Sequence, residues 1–160
     1  MAPLTSDLRI RKIADVPRVL CASPDYIARR GMPADGDALL SERHECLNLR
    51  FPGVSEFQWR LETSDGPRRF AVAGRYESDD GDVLTDWALA GRGIVNKPRF
   101  DVQDHLATGR LVEVLPETPP LPTIFGCLYP HKKLQDPKIR LFVEHVARQS
   151  KPLFAKRRAA

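Results

Sequence analysis

Cysteine is scarce in this chain, and its spacing supports neither metal nor disulfide chemistry. Cys21, Cys46 and Cys127 lie far apart with no CxxC pair, which argues against the common zinc arrangements and against a disulfide scaffold. They read as reduced thiols of a cytoplasmic protein. No apolar run approaches the roughly 20 residues that cross a bilayer, so no membrane association is expected. Residues 1–7 lack the apolar stretch of a secretory signal. There is no P-loop, GxGxxG or Ser-His-Asp order, and His44, His105, His131 and His145 show no metal-ligand spacing. No catalytic residue, cofactor or metal is therefore expected. Zinc-finger, RRM and helix-turn-helix signatures are also missing, so no direct DNA binding by this chain is expected.

What is present is a core. The 160 residues are 42% hydrophobic, which suits one domain or two small lobes and argues against wholesale disorder. The net charge is +4, but the basic residues are mixed with 21 acidic ones. Dense basic clusters occur at Arg29-Arg30, Arg68-Arg69 and Lys156-Arg157-Arg158. These read as solvated faces and a tail.

Short strands alternate with short helices, the pattern of an α/β fold. Residues 18–22 form an apolar run fit for a buried strand. Ser23-Pro24 then opens a helix, with Ser as cap and Pro at the first position, and Gly31 ends it. A second short helix is expected within 33–43, with Ala38, Leu39 and Leu40 inward. Cys46–Phe51 reads as a strand broken by Pro52-Gly53. Phe57, Trp59 and Leu61 alternate with polar residues, Ser64 to Pro67 form a turn, and 70–76 return as the partner strand. Val83, Leu84, Trp87 and Ala88 have helical spacing after Ser78 to Gly81. Residues 93–95 predict a strand, 100–108 a helix, and 111–115 a strand. The proline-rich 116–122 cannot be helical. A strand at 123–129 and a helix from Asp136-Pro137 complete the chain. Trp59 and Trp87 read as core residues.

Four stretches carry a family resemblance: 19–31; 74–81 continuing to 88–94; 98–112; and 128–130 with 136–142. In this order, across nearly the whole chain, they resemble the effector-binding domain of LysR-type transcriptional regulators. The resemblance implies an α/β fold like the type 2 periplasmic binding proteins, with two lobes and two crossing strands. It places the crossings, or hinge, at Cys21-Ala22 and Cys127-Leu128, on neighbouring strands. Residues 23–124 would form the second lobe, and 1–22 with 125–160 the first. The family's winged helix-turn-helix and the opening repeats of its first lobe should precede Leu8, so the first lobe is expected to be incomplete. The last helix would then leave apolar residues such as Phe142 exposed.

The implied function is sensing of a small-molecule effector by a homo-oligomer. The alternative is a free-standing small-molecule-binding protein of the same fold. Effector contacts are expected from Ser23, Glu77, Ser78, Asp79, Asn96 and Lys97. Each has a second reading. Ser23 suffices as a helix cap. Asp79, with Asp80 and Asp82, already offsets a helix dipole, which favours an amine or neutral ligand over a carboxylate. Lys97 either binds a ligand anion or pairs with a neighbouring Asp. Cys21 is either a buried thiol or a redox sensor.

Overall fold

The computed structural model describes residues 8–50, 57–130 and 136–156. They form two compact units, one from those within 17–121 and the other from those within 1–16 and 122–160.

Residues 17–121 are built on a five-stranded mixed sheet. It comprises β2 (Arg18–Ala22), β3 (Cys46–Leu49), β6 (Glu77–Ser78), β7 (Ile94–Pro98) and β8 (Val112–Val114), in the order β6-β3-β7-β2-β8. β3 runs parallel to β6 and β7, while β2 runs antiparallel to β7 and β8. Successive side chains on a strand face opposite sides, and both sides of this sheet are covered. Leu20, Ala22, Cys46, Ile94 and Val114 pack under α1 (Pro24–Arg30), α2 (Ala38–Ser41) and the hairpin β4 (Gln58–Thr63)–β5 (Gly66–Ala71). Val19, Cys21, Leu47 and Val95 pack under α3 (Gly81–Leu89) and α4 (Arg99–Ala107) through Leu84, Ala88 and Val102.

Local chemistry sets the helix ends. Ser23 Oγ accepts the Tyr26 N–H at 3.2 Å and Pro24 takes the first position of α1. Asp80 caps α3 through the Asp82 N–H. Gly31, Gly91 and Gly109 follow helices with positive φ. In the hairpin, Trp59 and Leu61 are buried while Gln58, Arg60 and Glu62 are exposed. At Gly74 the chain passes so close to Cys46 that a Cβ would collide with the Cys46 carbonyl oxygen. Leu40, expected inward, is instead 40% exposed. A four-residue helix cannot turn three consecutive side chains to one side.

The other unit pairs β1 (Leu8–Val16) antiparallel with β9 (Thr123–Pro130), with an irregularity between Lys12 and Ala14. α5 (Pro137–Lys156) packs on β1 and buries Val143 and Ala147, one turn apart. Leu141 and Phe142 remain 61% and 66% exposed, and Ile10 and Leu128, paired across the strands, are also exposed. Among the described residues no helix is long and apolar enough to cross a membrane.

The expected hinge is corrected here. Cys21 and Ala22 lie inside the five-stranded sheet, whereas Cys127 pairs with Arg11 in the β1–β9 ribbon. The chain passes between units at Val16/Pro17 and Leu121/Pro122, not at 22/23 and 124/125. β2 is apolar because it is an interior strand buried on both faces, not because it crosses. The ribbon strand β1 escaped notice because Arg9, Arg11 and Lys12 interrupt its apolar residues. The expected break at Pro52-Gly53 and the end of the strand at Phe51 lie outside the described residues.

Candidate ligand-binding site

β3 and β7 are parallel, with Cys46 level with Ile94 and Leu47 level with Val95. One step further along, Asn48 is level with Asn96, and both side chains fall on the hairpin side of the sheet. β2 brings Arg18 to the same place, because Leu20 pairs with Asn96 and Arg18 with Pro98. The Arg18 guanidinium donates from Nε to Asn96 Oδ1 and from Nη2 to the Asn96 carbonyl, each at 2.8 Å. Among the described residues no carboxylate pairs with it, and burial pulls its pKa below the usual arginine value, opposed by the charge of Asp101.

Asn48 is the unusual member. It is fully buried, yet neither its Oδ1 nor its Nδ2 has a hydrogen-bond partner. A buried amide left unpaired costs about 1–3 kcal/mol, and such groups in native folds call for a functional or structural reason. The strand register therefore places three polar residues at the carboxyl ends of β3 and β7: an unpaired amide, a second amide bonded to Arg18, and a guanidinium that feels the charge of Asp101 without an ion pair among the described residues. Together they can offer N–H donors and positive charge to a carboxylate or carbonyl group.

The residues expected from the sequence divide. Glu77 is level with Asn48 and Ser78 with Leu49, so both share this edge. Glu77 is ion-paired with Arg50, and Ser78 Oγ accepts the Asp80 N–H at 3.0 Å. Asp79 is exposed beside them. Asn96 belongs to the group. Ser23 and Lys97 lie elsewhere, each in the other role expected for it, a helix cap and a partner of an Asp. Ser23 follows the other end of β2, at the amino ends of β3 and β7, where a Cβ on Gly91 would meet its Oγ at 3.3 Å; it is buried and engaged as a cap. Lys97 projects to the opposite face of the sheet. It is buried, donates to the Gly81 carbonyl at 3.0 Å and pairs with Asp101 at 3.1 Å. A buried ammonium holds such partners because leaving it unpaired would be far costlier.

Sequence reading missed Asn48 and Arg18. The signal was a single polar residue inside each of two apolar strands, which the apolar pattern masked.

Cys21 is fully buried, and burial pushes its thiol up to about 12, helped by the Glu113 charge and opposed by Lys97 and Arg99. Cys46 is likewise pushed up to about 12 by burial and by Glu45. Reactivity needs an accessible thiolate, so neither suits redox sensing; Cys127 is half-buried. Ellman's reagent at mildly alkaline pH should therefore label one thiol quickly in the native chain and all three in denaturant. Fast reaction of two or three native thiols would contradict this burial.

Comparisons with known proteins agree with the fold. The LysR substrate binding domain family matches residues 1–151. The HTH-type transcriptional regulator DmlR of Escherichia coli K12 is 33% identical over 144 residues, covering 88% of this chain and 45% of DmlR. The regulatory domain of CrgA, a LysR-type transcriptional regulator from Neisseria meningitidis, is 27% identical. It covers 93% of this chain and 72% of its own, with a TM-score of 0.67. Full-length AphB of Vibrio cholerae is 31% identical over 91% of this chain and 49% of AphB, with a TM-score of 0.69. The chain spans less than half the length of the curated relatives it matches. Matched in sequence and in fold over most of its length, the chain belongs to the LysR substrate-binding-domain family, the regulatory domains of LysR-type transcriptional regulators.

Proposed function

We infer that this chain senses a small-molecule effector for a LysR-type transcriptional regulator, acting as a homo-oligomer and doing no chemistry of its own. The observation that supports this most is Asn48, whose buried amide has both atoms unpaired beside Arg18 and Asn96. A ligand carrying a carboxylate or carbonyl group would complete those hydrogen bonds. Arg18 moves the expected chemistry away from an amine and toward an acid, because a half-buried guanidinium repels an ammonium and bonds a carboxylate in a two-pronged way.

Amide NMR tests this on the chain itself. Titration with a panel of small hydroxy acids, dicarboxylates and aromatic acids should identify at least one that saturably shifts the side-chain NH2 signals of Asn48 and Asn96. Arg18→Gln should weaken that response by about tenfold or more. If every compound that binds leaves both NH2 signals unmoved, the effector does not use this edge of the sheet.

A further inference from the structure

At the other end of the same sheet, the amino ends of β3 and β7, lies a recess of about 290 Å³ ringed by Arg29, Arg30, Arg43, Arg75 and Arg92, with Glu45 as the one carboxylate in its lining among the described residues. Five guanidiniums against one carboxylate leave a strong positive excess. The way they are held matters as much as their number. Arg29 donates to the Gly91 carbonyl at 2.6 Å and to the Asp25 carbonyl at 3.3 Å. Arg30 donates to the carbonyls of Glu42 and Arg43 at 3.1 and 2.8 Å. Both are thus oriented by neutral oxygens, which fix the fork without cancelling its charge. Arg75 alone is paired, with Glu45. The side chains of Arg43 and Arg92 have no hydrogen-bond or ion-pair partner among the described residues.

The surroundings do not neutralise the excess. The carboxylates nearby are Glu42, bonded to His44 Nε2 at 3.0 Å, and Asp25, whose Cβ would lie 3.9 Å from a Cβ on Gly91; neither ion-pairs with a guanidinium of the recess among the described residues. Tyr26, in the lining, is already committed: its hydroxyl accepts the Glu45 N–H at 2.9 Å and contacts His44 Nδ1 at 3.1 Å. Arg43 itself takes a positive φ of 51°, uncommon for a residue with a Cβ. Some other basic residues do meet carboxylates, as Arg68 does Asp37 and Arg99 does Glu113; of the five guanidiniums of the recess, one does among the described residues.

We propose that this recess is a second ligand site, separate from the Asn48 edge, and that it takes a small molecule bearing two or more linked phosphates. Guanidinium forks match phosphate oxygens in pairs, and several converging cations suit a ligand with several negative charges. A pyrophosphate group fits whether it comes as an inorganic chain or as part of a nucleotide. Tyr76, half-buried, also lines the recess and offers an aromatic edge to any attached base.

Calorimetric titration with inorganic pyrophosphate, tripolyphosphate and ATP, each at matched ionic strength against sodium sulfate, tests the site. Arg92→Gln and Arg43→Asn are the informative variants, since neither side chain makes an internal bond whose loss could unfold the chain; circular dichroism checks this. Pyrophosphate should bind more tightly than sulfate, and the paired variant should weaken it by about tenfold or more. Equal affinity for pyrophosphate and ATP would mean that the recess reads phosphate alone. Tighter ATP binding would mean that it also reads the nucleoside. Affinity no better than that of sulfate, affinity unchanged in the paired variant, or tight binding only to duplex DNA would each overturn the proposal.

Discussion

Asn48→Leu should make the free chain more stable and deaf to its effector at the same time. Leucine branches at Cγ as asparagine does, though its methyl groups make it larger, and Asn48 sits on the apolar side of β3, two residues after Cys46, with both amide atoms unpaired. Removing an unsatisfied buried amide should stabilise by about 1–3 kcal/mol, or about 2–12 °C in Tm for a chain of this size. The same change deletes the donor and acceptor that a ligand would engage, so the ligand-induced rise in Tm should vanish. Scanning fluorimetry with and without a binder found in the NMR panel reads both effects. An amide with an ordinary structural role would behave oppositely, and a loss of more than about 1 kcal/mol that persists in the smaller Asn48→Val, where overpacking is relieved, would show that its hydrogen bonds are made in the free protein.

The largest loss of stability should follow Phe70→Ala. Phe70 is 2% exposed, pairs with Trp59 across the hairpin and belongs to the cluster containing Leu20, Leu61 and Ile94. Its ring also carries the Arg68 guanidinium 4.9 Å from the centroid. Truncating a buried phenylalanine typically costs 3–5 kcal/mol, a large share of a domain's usual margin of roughly 5–15 kcal/mol. Urea denaturation should show a lower midpoint with a similar slope. Gly36 provides the companion test, because a Cβ there would lie 2.5 Å from the tip of the Phe70 ring. Gly36→Ala alone should cost about 1–3 kcal/mol by overpacking. In the Phe70→Ala background that penalty should disappear, since the obstructing atoms are gone. Additive losses in the double variant would mean that the two residues do not share this contact.

Much of the fold was legible wherever short-range chemistry decides it. Ser23-Pro24 and Asp80 start helices, glycines at 31, 91 and 109 stop them, and the alternation around Trp59 and Leu61 marks the hairpin. Legibility failed where pairing partners are distant. β6 is two residues long and exists only because β3 offers a free edge. β1 is read as a strand only once β9, more than a hundred residues later, is laid beside it. The site failed for the same reason. Arg18, Asn48 and Asn96 become neighbours through the strand order β3-β7-β2, which no local pattern encodes. The basic pair Arg29-Arg30 looked like ordinary solvated charge because Arg43, Arg75 and Arg92, which complete its ring, are scattered along the chain.

The two proline junctions have a kinetic meaning. Val16 and Thr123 face each other in the ribbon, so β1 and β9 are the arms of a hairpin whose connecting loop is residues 17–122. In an unfolded chain, closing such a loop is entropically costly and slow. Once the inserted unit has folded, its ends are already held: the Pro17 carbonyl accepts the Arg99 N–H, and the Leu121 N–H donates to the Arg60 carbonyl. The remaining gap is then a few residues rather than a hundred. Refolding followed by pulsed hydrogen exchange should protect β2, β3 and β7 first, and β1 with β9 only afterwards, as the late closing of a zipper whose two ends an earlier event has brought together.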